Sequence, residues 1–296
     1  MSAADPHALA AAPPDARPAR APVSVLLLTL NEEANLPRCL AALDWADDVL
    51  VLDSFSTDRT VAVAQEHGAR VMQRAFDSFA GQRNFGLQEG GLRHDWVLHL
   101  DADEVVTPAL RDELLKVMRE GTFPAYRLAS KMMFQGRWLR YSGLYPSYQV
   151  RFGRRDRLTF VQVGHGQRET LAPEELGTLQ EPLLHYTFSK GLDDWIARHN
   201  RYSRAEAEEA LAGGSTRVAL RDFIAKDPVE RRRAAKRLVA RSRFRPALRY
   251  AYMLLARRAF LDGTPGLTYC RLLAMYERMI VLKMREIELK RKGVPL

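Results

Sequence analysis

The sequence is poor in cysteine and contains no long apolar run. Among its 296 residues the only cysteines are Cys39 and Cys270, which are far apart and form no Cys-x-x-Cys pair. This arrangement argues against a disulfide framework and against a zinc knuckle. No stretch reaches the roughly 18 apolar residues that a membrane-spanning helix needs, and the apolar run at residues 8–12 is too short for a signal peptide. We therefore expect a cytoplasmic protein.

Charge is distributed unevenly along the chain. The formal net charge is +9, but residues 217–296 contain 21 Lys and Arg against 7 Asp and Glu, a net charge of +14. The rest of the chain is slightly acidic. A basic C-terminal region on such a protein indicates an anionic partner, and composition leaves open whether that partner is a membrane surface or a nucleic acid.

Residues 1–22 are mostly Ala, Pro and Arg, which predicts a disordered tail; after them, apolar runs alternate with helical patterns. The run Val23–Leu30 is almost continuously aliphatic, as is typical of a strand buried on both faces of a parallel sheet. The predicted strands are 23–30, 49–53, 69–72 and 96–100, and the predicted helices are 33–43, 57–67, 79–89 and 108–120. This order predicts an α/β fold with an open, mostly parallel sheet and flanking helices.

Beyond the fourth predicted strand the pattern changes. Residues 124–190 contain short strands and loops that are rich in Gly, Tyr and Arg, and residues 191–292 read as helices with a break at residues 213–215. We therefore expect one α/β domain over residues 23–212 and a basic, amphipathic helical region over residues 217–296.

Polar side chains follow three of the predicted strands at the point where each strand ends. They are Thr29, Asn31 and Glu32 after the first strand, Asp53 after the second, and Asp101 and Asp103 after the fourth. Open parallel sheets bind ligands at the carboxyl ends of their strands. The sequence therefore predicts a nucleotide-type site along this edge.

The segment Asp101-Ala102-Asp103 ends an apolar strand. If the backbone stays extended, side chains two residues apart point to the same side, so both carboxylates can face one cation. Mg²⁺ and Mn²⁺ take oxygen ligands and bind phosphates at the same time. The pair predicts a metal that holds a nucleotide diphosphate, and the alternative is a solvated acidic turn before the next helix.

Two further segments carry hydrogen-bonding groups near this edge. Asp53 is suited to accept hydrogen bonds from a ribose or a base, while residues 56–58 read as an N-cap for the next helix. In the helix that follows, Arg83 is suited to clamp a phosphate and Asn84 to contact a base edge. A solvated helix face is the competing interpretation of Arg83 and Asn84.

Together these segments resemble the family 2 inverting glycosyltransferases. The motifs are Leu28-Thr-Leu-Asn-Glu-Glu33, Asp53-Ser-Phe-Ser-Thr-Asp-Arg-Thr60, Gln82-Arg-Asn84 and Trp96-Val-Leu-His-Leu-Asp-Ala-Asp-Glu104, followed by Phe134-Gln-Gly-Arg137, Tyr145-Pro-Ser-Tyr-Gln149, Leu184-His-Tyr186 and Asn200-Arg-Tyr-Ser203. The resemblance covers roughly residues 23–210 and is strongest to the lipopolysaccharide-core β-1,4-glucosyltransferase branch. No single motif is specific, but their combination is.

The resemblance implies a GT-A fold, a UDP-sugar donor and a Mg²⁺ or Mn²⁺ ion. It implies a nucleoside pocket lined by Thr29, Asn31, Glu32 and Asp53 with Arg83 or Asn84 nearby, and a diphosphate and metal at Asp101 and Asp103. The acceptor it implies is a lipid-linked glycan of lipopolysaccharide or exopolysaccharide. An enzyme of this kind is expected to be cytoplasmic and peripheral on the inner face of the cytoplasmic membrane.

The general base departs from the family pattern. An inverting transferase needs a base to deprotonate the attacking acceptor hydroxyl. Relatives carry a His-Glu pair after the middle loops, where this chain has Gly166 in the Glu position. Glu169 is the nearest carboxylate, His165 is an alternative, and residues 193–194 supply two further carboxylates. His185 is a possible metal ligand, with a satisfied buried histidine as the competing interpretation.

The C-terminal region mixes arginines with aromatic and aliphatic residues over 245–261 and again over 269–284. Basic amphipathic helices of this kind fit an anionic membrane surface on which they lie without spanning it. No nucleic-acid-binding motif accompanies the charge, so we expect no nucleic acid partner. The alternative is that the apolar faces pack on the α/β domain or on a second subunit.

Two other functions fit parts of the sequence. A sugar nucleotidyltransferase uses a similar sheet, but residues 29–33 lack the GxGxRL-type pattern of those enzymes. A non-catalytic membrane-surface or nucleic-acid-binding protein would need neither Asp101 nor Asp103. Binding of UDP that depends on metal separates the last class from a transferase.

Overall fold

The computed structural model describes residues 20–163, 166–212 and 242–295. Its strands are β1 (Ala21–Thr29), β2 (Ala46–Asp53), β3 (Arg70–Gln73), β4 (Trp96–Asp101), β5 (Glu104–Val105), β6 (Ala125–Phe134), β7 (Arg137–Trp138), β8 (Tyr148–Arg154), β9 (Phe160–Val163), β10 (Gly166–Glu169), β11 (Leu176–Thr178) and β12 (Leu183–His185). Its α-helices are α1 (Leu36–Ala41), α2 (Thr60–Glu66), α3 (Phe79–Glu89), α4 (Pro108–Glu120), α5 (Gly191–Ala212), α6 (Arg245–Ala251) and α7 (Gly263–Arg291).

These elements confirm the predicted alternation of strands and helices. Helices α3 and α4 have the predicted bounds, and α5 differs by one residue at each end from the predicted helix 192–211. Strand β1 begins at Ala21, so the last two residues of the predicted tail belong to the sheet. The remainder of the predicted tail, residues 1–19, lies outside the described residues.

The chain forms two compact units, each assembled from three segments. The first comprises Met1–Asp101, Leu114–Tyr126 and Arg151–Gly177, and the second comprises Ala102–Glu113, Arg127–Val150 and Thr178–Leu296. This division differs from the predicted linear one, because segments of the expected α/β domain join the C-terminal helices in the second unit.

The sheet of the first unit has the strand order β3-β2-β1-β4-β8. The first four strands are parallel to their neighbours, and β8 runs antiparallel to β4. The aliphatic side chains of the central strand β1, Val23 and residues 25–27, are fully buried, as a two-sided parallel strand requires. Thr29 of β1 is in register with Asp53 of β2, so these two predicted site residues lie side by side.

Helix α3 packs closely on this sheet. It begins after Ser78, whose side chain accepts a hydrogen bond from the Gly81 backbone N–H and so caps the helix. A Cβ atom at Gly86 would lie 2.5 Å from Cδ2 of Leu26, so only glycine allows this approach of helix to strand. Arg83 lies three residues before Gly86 on the same helical face, and it is therefore directed toward the sheet and buried.

The second unit contains a group of paired strands and a helical core. Strand β12 pairs in parallel with β6 and antiparallel with β5. Helices α5 and α7 pack together through Ala207, Ile280 and Met284. A second cluster joins residues near β6 and β7 to the C-terminal segment, and its buried members are Phe134, Leu139, Met253, Ala259, Tyr269, Cys270 and Leu273.

A buried carboxylate fixes the C-terminal segment in the second unit. Asp262 accepts hydrogen bonds from the backbone N–H groups of Arg140, Tyr141 and Ser142 at 2.7–3.3 Å, and from the Ser142 hydroxyl at 2.6 Å. These bonds compensate for the burial of the charge. Among the described helices, none combines the length and the apolarity needed to cross a membrane.

Candidate active site

Two loops of the first unit are joined by hydrogen bonds where β1 and β2 end. The backbone N–H of Asn31 donates to the Ser56 hydroxyl at 2.8 Å, and the Thr57 N–H donates back to the Asn31 side chain at 2.8 Å. The N–H of Glu32 donates to the Thr60 hydroxyl at 2.7 Å. The structure therefore brings the predicted residues Thr29, Asn31, Glu32 and Asp53 into one loop pair at the carboxyl ends of the strands.

Asp53 is the buried centre of this loop pair. Its carboxylate accepts hydrogen bonds from the hydroxyl groups of Thr29 and Ser56, from the Ser56 N–H and from the Gln73 amide. Burial alone would raise the pKa of Asp53, but the hydrogen bonds from Ser56, Gln73 and Thr29 outweigh it and hold the pKa below its ordinary value. The ionised carboxylate thus organises the loops, and its direct contact with a nucleoside stays a prediction.

The strongest electrostatic feature of the first unit lies at the end of β4. Arg83 donates from Nη2 to Oδ1 of Asp101 at 2.8 Å, and Arg151 of β8 donates from Nη2 to Oδ2 at 2.7 Å. The side chains of Arg83 and Arg151 are only 2% and 4% exposed, while that of Asp101 is 36% exposed. Two buried guanidinium groups therefore share the carboxylate of Asp101.

His99 of β4 is an uncharged neighbour of this cluster. Burial, and then the positive charges of Arg83 and Arg151, hold its pKa well below the ordinary value. Its ring meets the Phe160 ring edge-on, with 5.2 Å between centroids, and its two nitrogens have no hydrogen-bond partner among the described residues. The neutral imidazole therefore adds no positive charge beside Arg83 and Arg151.

Asp103 occupies a different environment from Asp101. Strand β4 ends at Asp101 and the chain turns at Ala102 and Asp103, so the extended backbone on which the prediction of a shared cation was conditional does not continue past Asp101. Binding of one cation by both carboxylates stays a prediction. In the second unit, Oδ2 of Asp103 lies 3.2 Å from Nε2 of His185, and both side chains are partly exposed. His185 is therefore partly exposed and not fully buried, and its role as a metal ligand stays a prediction.

In the part of the chain that the structure describes, few side chains are placed together to bind a metal ion. Within these residues no group of three or more His, Cys, Asp or Glu side chains is placed to hold a metal ion. The residues present fit an ion that takes only two protein ligands, Asp103 and His185, and completes its shell with phosphate and water oxygens, as Mg²⁺ and Mn²⁺ do beside nucleotides.

Asn84 has a structural partner in the first unit. Its amide donates to the Phe160 carbonyl at 2.8 Å and accepts from the Phe160 N–H at 2.9 Å, so it ties α3 to β9. The neighbouring Gln82 is buried and donates to the Ser54 hydroxyl at 3.1 Å. Of the predicted Gln82-Arg83-Asn84 segment, only Arg83 is therefore directed at the charged cluster.

The candidates for the general base are spread over both units. Glu169 is the last residue of β10 in the first unit, where it pairs in register with Phe160 and is partly buried. His165 lies outside the described residues. In the second unit, Asp193 is exposed and Asp194 is ion-paired with Arg198 at 2.8 Å.

Sequence reasoning missed Arg151. The available signal was a single arginine between the buried apolar residues Val150 and Phe152, in a strand that begins within the Tyr145–Gln149 motif. A charge at such a position is expensive unless it is paired, so it marks a partner in the fold. That partner, Asp101, could not be identified because it lies 50 residues earlier in the chain.

Comparison with known proteins shows a family likeness over the first part of the chain. Residues 24–167, just under half of the chain, match the family model Glycosyl transferase family 2. The predicted fold class is confirmed: a GT-A α/β fold, mostly parallel with flanking helices, with a C-terminal helical region.

Among particular relatives, the lipopolysaccharide core biosynthesis glycosyltransferase LpsC of Rhizobium meliloti is 27% identical over 202 residues, which are 65% of this chain and 73% of that protein. An uncharacterized glycosyltransferase of Rickettsia bellii is 26% identical over 204 residues, 65% of this chain and 68% of that protein.

Two solved structures show weaker likeness. The glucosyl-3-phosphoglycerate synthase of Mycobacterium tuberculosis, in complex with Mn²⁺, UDP and glucosyl-3-phosphoglycerate, has a TM-score of 0.43 and 20% identity, with coverage of 59% of this chain and 75% of that one. Staphylococcus aureus TarS 1–349 has a TM-score of 0.40 and 16% identity, with coverage of 92% and 91%. At these scores the likeness carries no argument about activity.

Proposed function

We propose that this chain is an inverting glycosyltransferase that transfers a hexosyl group from a UDP-sugar to a lipid-linked glycan of lipopolysaccharide or exopolysaccharide. The observation that carries the proposal is the cluster of Arg83, Asp101 and Arg151 at the end of β4. The match to glycosyltransferase family 2 over residues 24–167 supports the reaction class. The cluster supplies the chemistry that an activated sugar with a diphosphate leaving group requires.

The two guanidinium groups of the cluster favour a phosphate ligand. Arg83 and Arg151 are both buried and converge on Asp101. A diphosphate supplies negative charge and oxygens that match the planar fork of a guanidinium. Because Asp101 is more than one-third exposed, a ligand has access to the cluster from the side of this residue.

The loop pair at the ends of β1 and β2 is suited to the nucleoside. Its backbone is fixed by Asp53, and it leaves the apolar side chains of Leu30 and Phe55 exposed. Phe55 has a φ of 61°, in the left-handed region that non-glycine residues adopt only when the surrounding structure holds them there. An aromatic side chain held in the open next to a polar loop offers a stacking surface for a base.

We propose Asp103 and His185 as the protein ligands of the metal. The sequence predicts Asp101 as a further ligand. Both oxygens of Asp101 are engaged by arginines, which is why we favour the Asp103–His185 pair. A bound Mg²⁺ or Mn²⁺ would stabilise the negative charge that develops on the leaving diphosphate. In the first unit, Arg83 and Arg151 would donate hydrogen bonds to a diphosphate.

The remaining catalytic group is the base. In an inverting displacement it removes the proton from the acceptor hydroxyl as that oxygen attacks the anomeric carbon. We retain Glu169 as the proposed base, because it is a partly buried carboxylate on a regular strand of the first unit. His165 remains a sequence-based alternative.

Two indirect observations support the proposed acceptor class and the proposed cellular location. LpsC is named as a lipopolysaccharide core glycosyltransferase, and a lipid-linked glycan is the acceptor that such a name suggests. The net charge of +14 over residues 217–296 suits an enzyme that works at an anionic membrane surface. We propose a cytoplasmic enzyme that is peripheral on the inner face of the cytoplasmic membrane.

A donor-hydrolysis screen tests the proposal. The full-length protein is incubated with UDP-, GDP- and dTDP-sugars, with Mn²⁺, with Mg²⁺ or with EDTA, and release of the nucleotide diphosphate is measured. We expect release of UDP from one UDP-hexose, at least about tenfold faster with metal than with EDTA. Release of another nucleotide would correct the donor, and failure of every donor to bind or react would overturn the proposed function.

A further inference from the structure

Helix α6 and the π-helical turn that follows it, Tyr252–Ala256, expose an apolar stripe in the second unit. Its large side chains are Phe244, Leu248, Tyr252 and Leu255, which we call the α6 face. At about 100° per residue these positions fall within an arc of about 80° on a helix, so they share one side. Phe244 is 58% exposed and Leu255 is 70% exposed, and the small residues Ala247 and Ala251 between them are exposed as well.

The opposite side of this segment is already packed. Met253 is fully buried in the cluster that contains Leu139 and Cys270, and Tyr250 packs against the same cluster. The segment therefore has a packed side, and its exposed side carries a further row of apolar residues. A contiguous exposed apolar surface marks an interaction site.

The charges around the α6 face have one sign. From Ser242 to Leu261 the sequence contains five arginines and no Asp or Glu. Arg245 is ion-paired with Glu206 and Glu277 inside the unit, whereas Arg243 and Arg258, at the two ends of the segment, are exposed. The exposed part of the segment is thus an apolar stripe between two cationic ends.

We propose that the α6 face docks on an anionic lipid bilayer, with its apolar side chains at the level of the acyl-chain boundary and Arg243 and Arg258 against the lipid headgroups. Apolar side chains flanked by arginines and free of carboxylates are the composition of helices that lie in the headgroup layer. The membrane-attached acceptor of the proposed function gives this contact its purpose, but the contact itself requires no sugar donor.

The charges beside the α6 face also favour a bilayer over a second copy of the chain as the binding partner of this face. In a two-fold dimer the same patch meets itself, so Arg243 and Arg258 would face equal charges with no carboxylate on the segment to compensate. An anionic lipid surface supplies that compensation, and each arginine near such a surface contributes on the order of 1 kcal/mol. Both the apolar stripe and the flanking arginines therefore favour an anionic bilayer as the binding partner.

The test compares vesicle binding by matched full-length variants. Sedimentation is measured with vesicles of phosphatidylcholine alone and with vesicles of equal parts phosphatidylcholine and phosphatidylglycerol. The Leu248→Glu and Leu255→Glu double variant removes two apolar contacts and adds two negative charges. The control carries Gln65→Glu and Gln88→Glu, which add the same charge at exposed positions of α2 and α3 in the first unit.

We expect the wild-type protein and the control to bind the anionic vesicles and to bind phosphatidylcholine weakly. The double variant should bind the anionic vesicles at least about tenfold less well. Leu248→Ala with Leu255→Ala should give an intermediate loss, and UDP-dependent measurements should be unchanged in all variants. Unchanged UDP binding also shows that each variant is folded.

Three results would overturn the docking proposal. The first is equal vesicle binding by the double variant and the control. The second is no vesicle binding by a wild-type protein that still binds UDP. The third is a wild-type dimer in light scattering that the double variant converts to monomers without any change in vesicle binding, which would make the α6 face a contact between chains. Failure of the donor screen with intact vesicle binding would instead count against the proposed transferase.

Discussion

Arg151 donates from Nη2 to Oδ2 of Asp101 across 2.7 Å, and both residues are held by neighbouring antiparallel strands of the first unit. Arg83 occupies the other carboxylate oxygen. Two guanidinium groups that converge on one partly exposed carboxylate form a site with which the oxygens of a diphosphate are chemically compatible. This relationship connects the fold to the proposed chemistry, because β4, β8 and α3 each place one member of the cluster.

Replacing Arg83 should impair the transferase strongly. The Arg83→Met variant keeps the length and apolar stem of the side chain but removes one donor to the diphosphate, so kcat/KM for donor hydrolysis should fall by about 100-fold. Arg83→Lys keeps the charge without the planar fork and should recover only part of the loss. Thermal unfolding should be followed alongside, and Arg83→Met activity equal to wild type in a folded protein would remove Arg83 from the site.

Asp53→Asn should weaken UDP-sugar binding more than it slows turnover, because it disturbs the loop pair that faces the nucleoside and not the reacting atoms. The asparagine amide would place a donor against the Ser56 N–H or the Gln73 amide, at a cost of about 1–3 kcal/mol in the free energy of unfolding. Donor KM and urea unfolding measure the two effects. An unchanged donor KM would contradict the assignment of Asp53 to the nucleoside loops.

The lowered pKa of Asp53 predicts that the free energy of unfolding depends on pH. The pKa of Asp53 is lowered in the folded state, so its stabilising contribution is present above the unfolded-state value of about 3.9 and is lost as the pH falls through the folded-state value. The difference in unfolding free energy between wild type and Asp53→Asn should therefore be largest near neutral pH and should shrink below about pH 4. A difference that stays constant down to pH 2.5 would contradict this linkage.

The parallel strands and the loop pair could be predicted from the sequence because their signals are local. The aliphatic run of β1 and the polar residues at the strand ends identify each element from its own residues. The partner of Arg151 could not be predicted in this way, because the two residues are 50 positions apart in the sequence. The turn after Asp101 could not be predicted either, because it contains no Gly or Pro that would mark it.

The metal pair gives a separate prediction. Asp103→Ala and His185→Ala should each weaken the apparent affinity for Mn²⁺ in donor hydrolysis by at least about tenfold, while high Mn²⁺ restores part of the rate to His185→Ala. Asp95→Ala is the matched control, because Asp95 is an exposed carboxylate in the first unit. If the metal titration curves of Asp103→Ala and His185→Ala both superimpose on that of Asp95→Ala, this placement of the metal is contradicted.

Asp262 should be one of the most sensitive positions for stability in the second unit. Asp262→Ala leaves the backbone N–H groups of residues 140–142 without their acceptor, which should cost about 2–4 kcal/mol of unfolding free energy. Asp193→Ala, at an exposed position of α5, should change stability by less than about 0.5 kcal/mol. Urea unfolding curves that coincide for the two variants would show that the buried carboxylate does not hold the C-terminal segment.

The most direct test of the account is a calorimetric titration of UDP, in saturating Mn²⁺, into the wild-type protein and into Arg151→Lys and Arg151→Met. The account predicts that the wild type binds UDP, that Arg151→Met binds at least about 30-fold more weakly, and that Arg151→Lys lies between them. Arg151→Met binding as tight as wild type, with both proteins folded, would contradict the claim that Arg83, Asp101 and Arg151 form the diphosphate site.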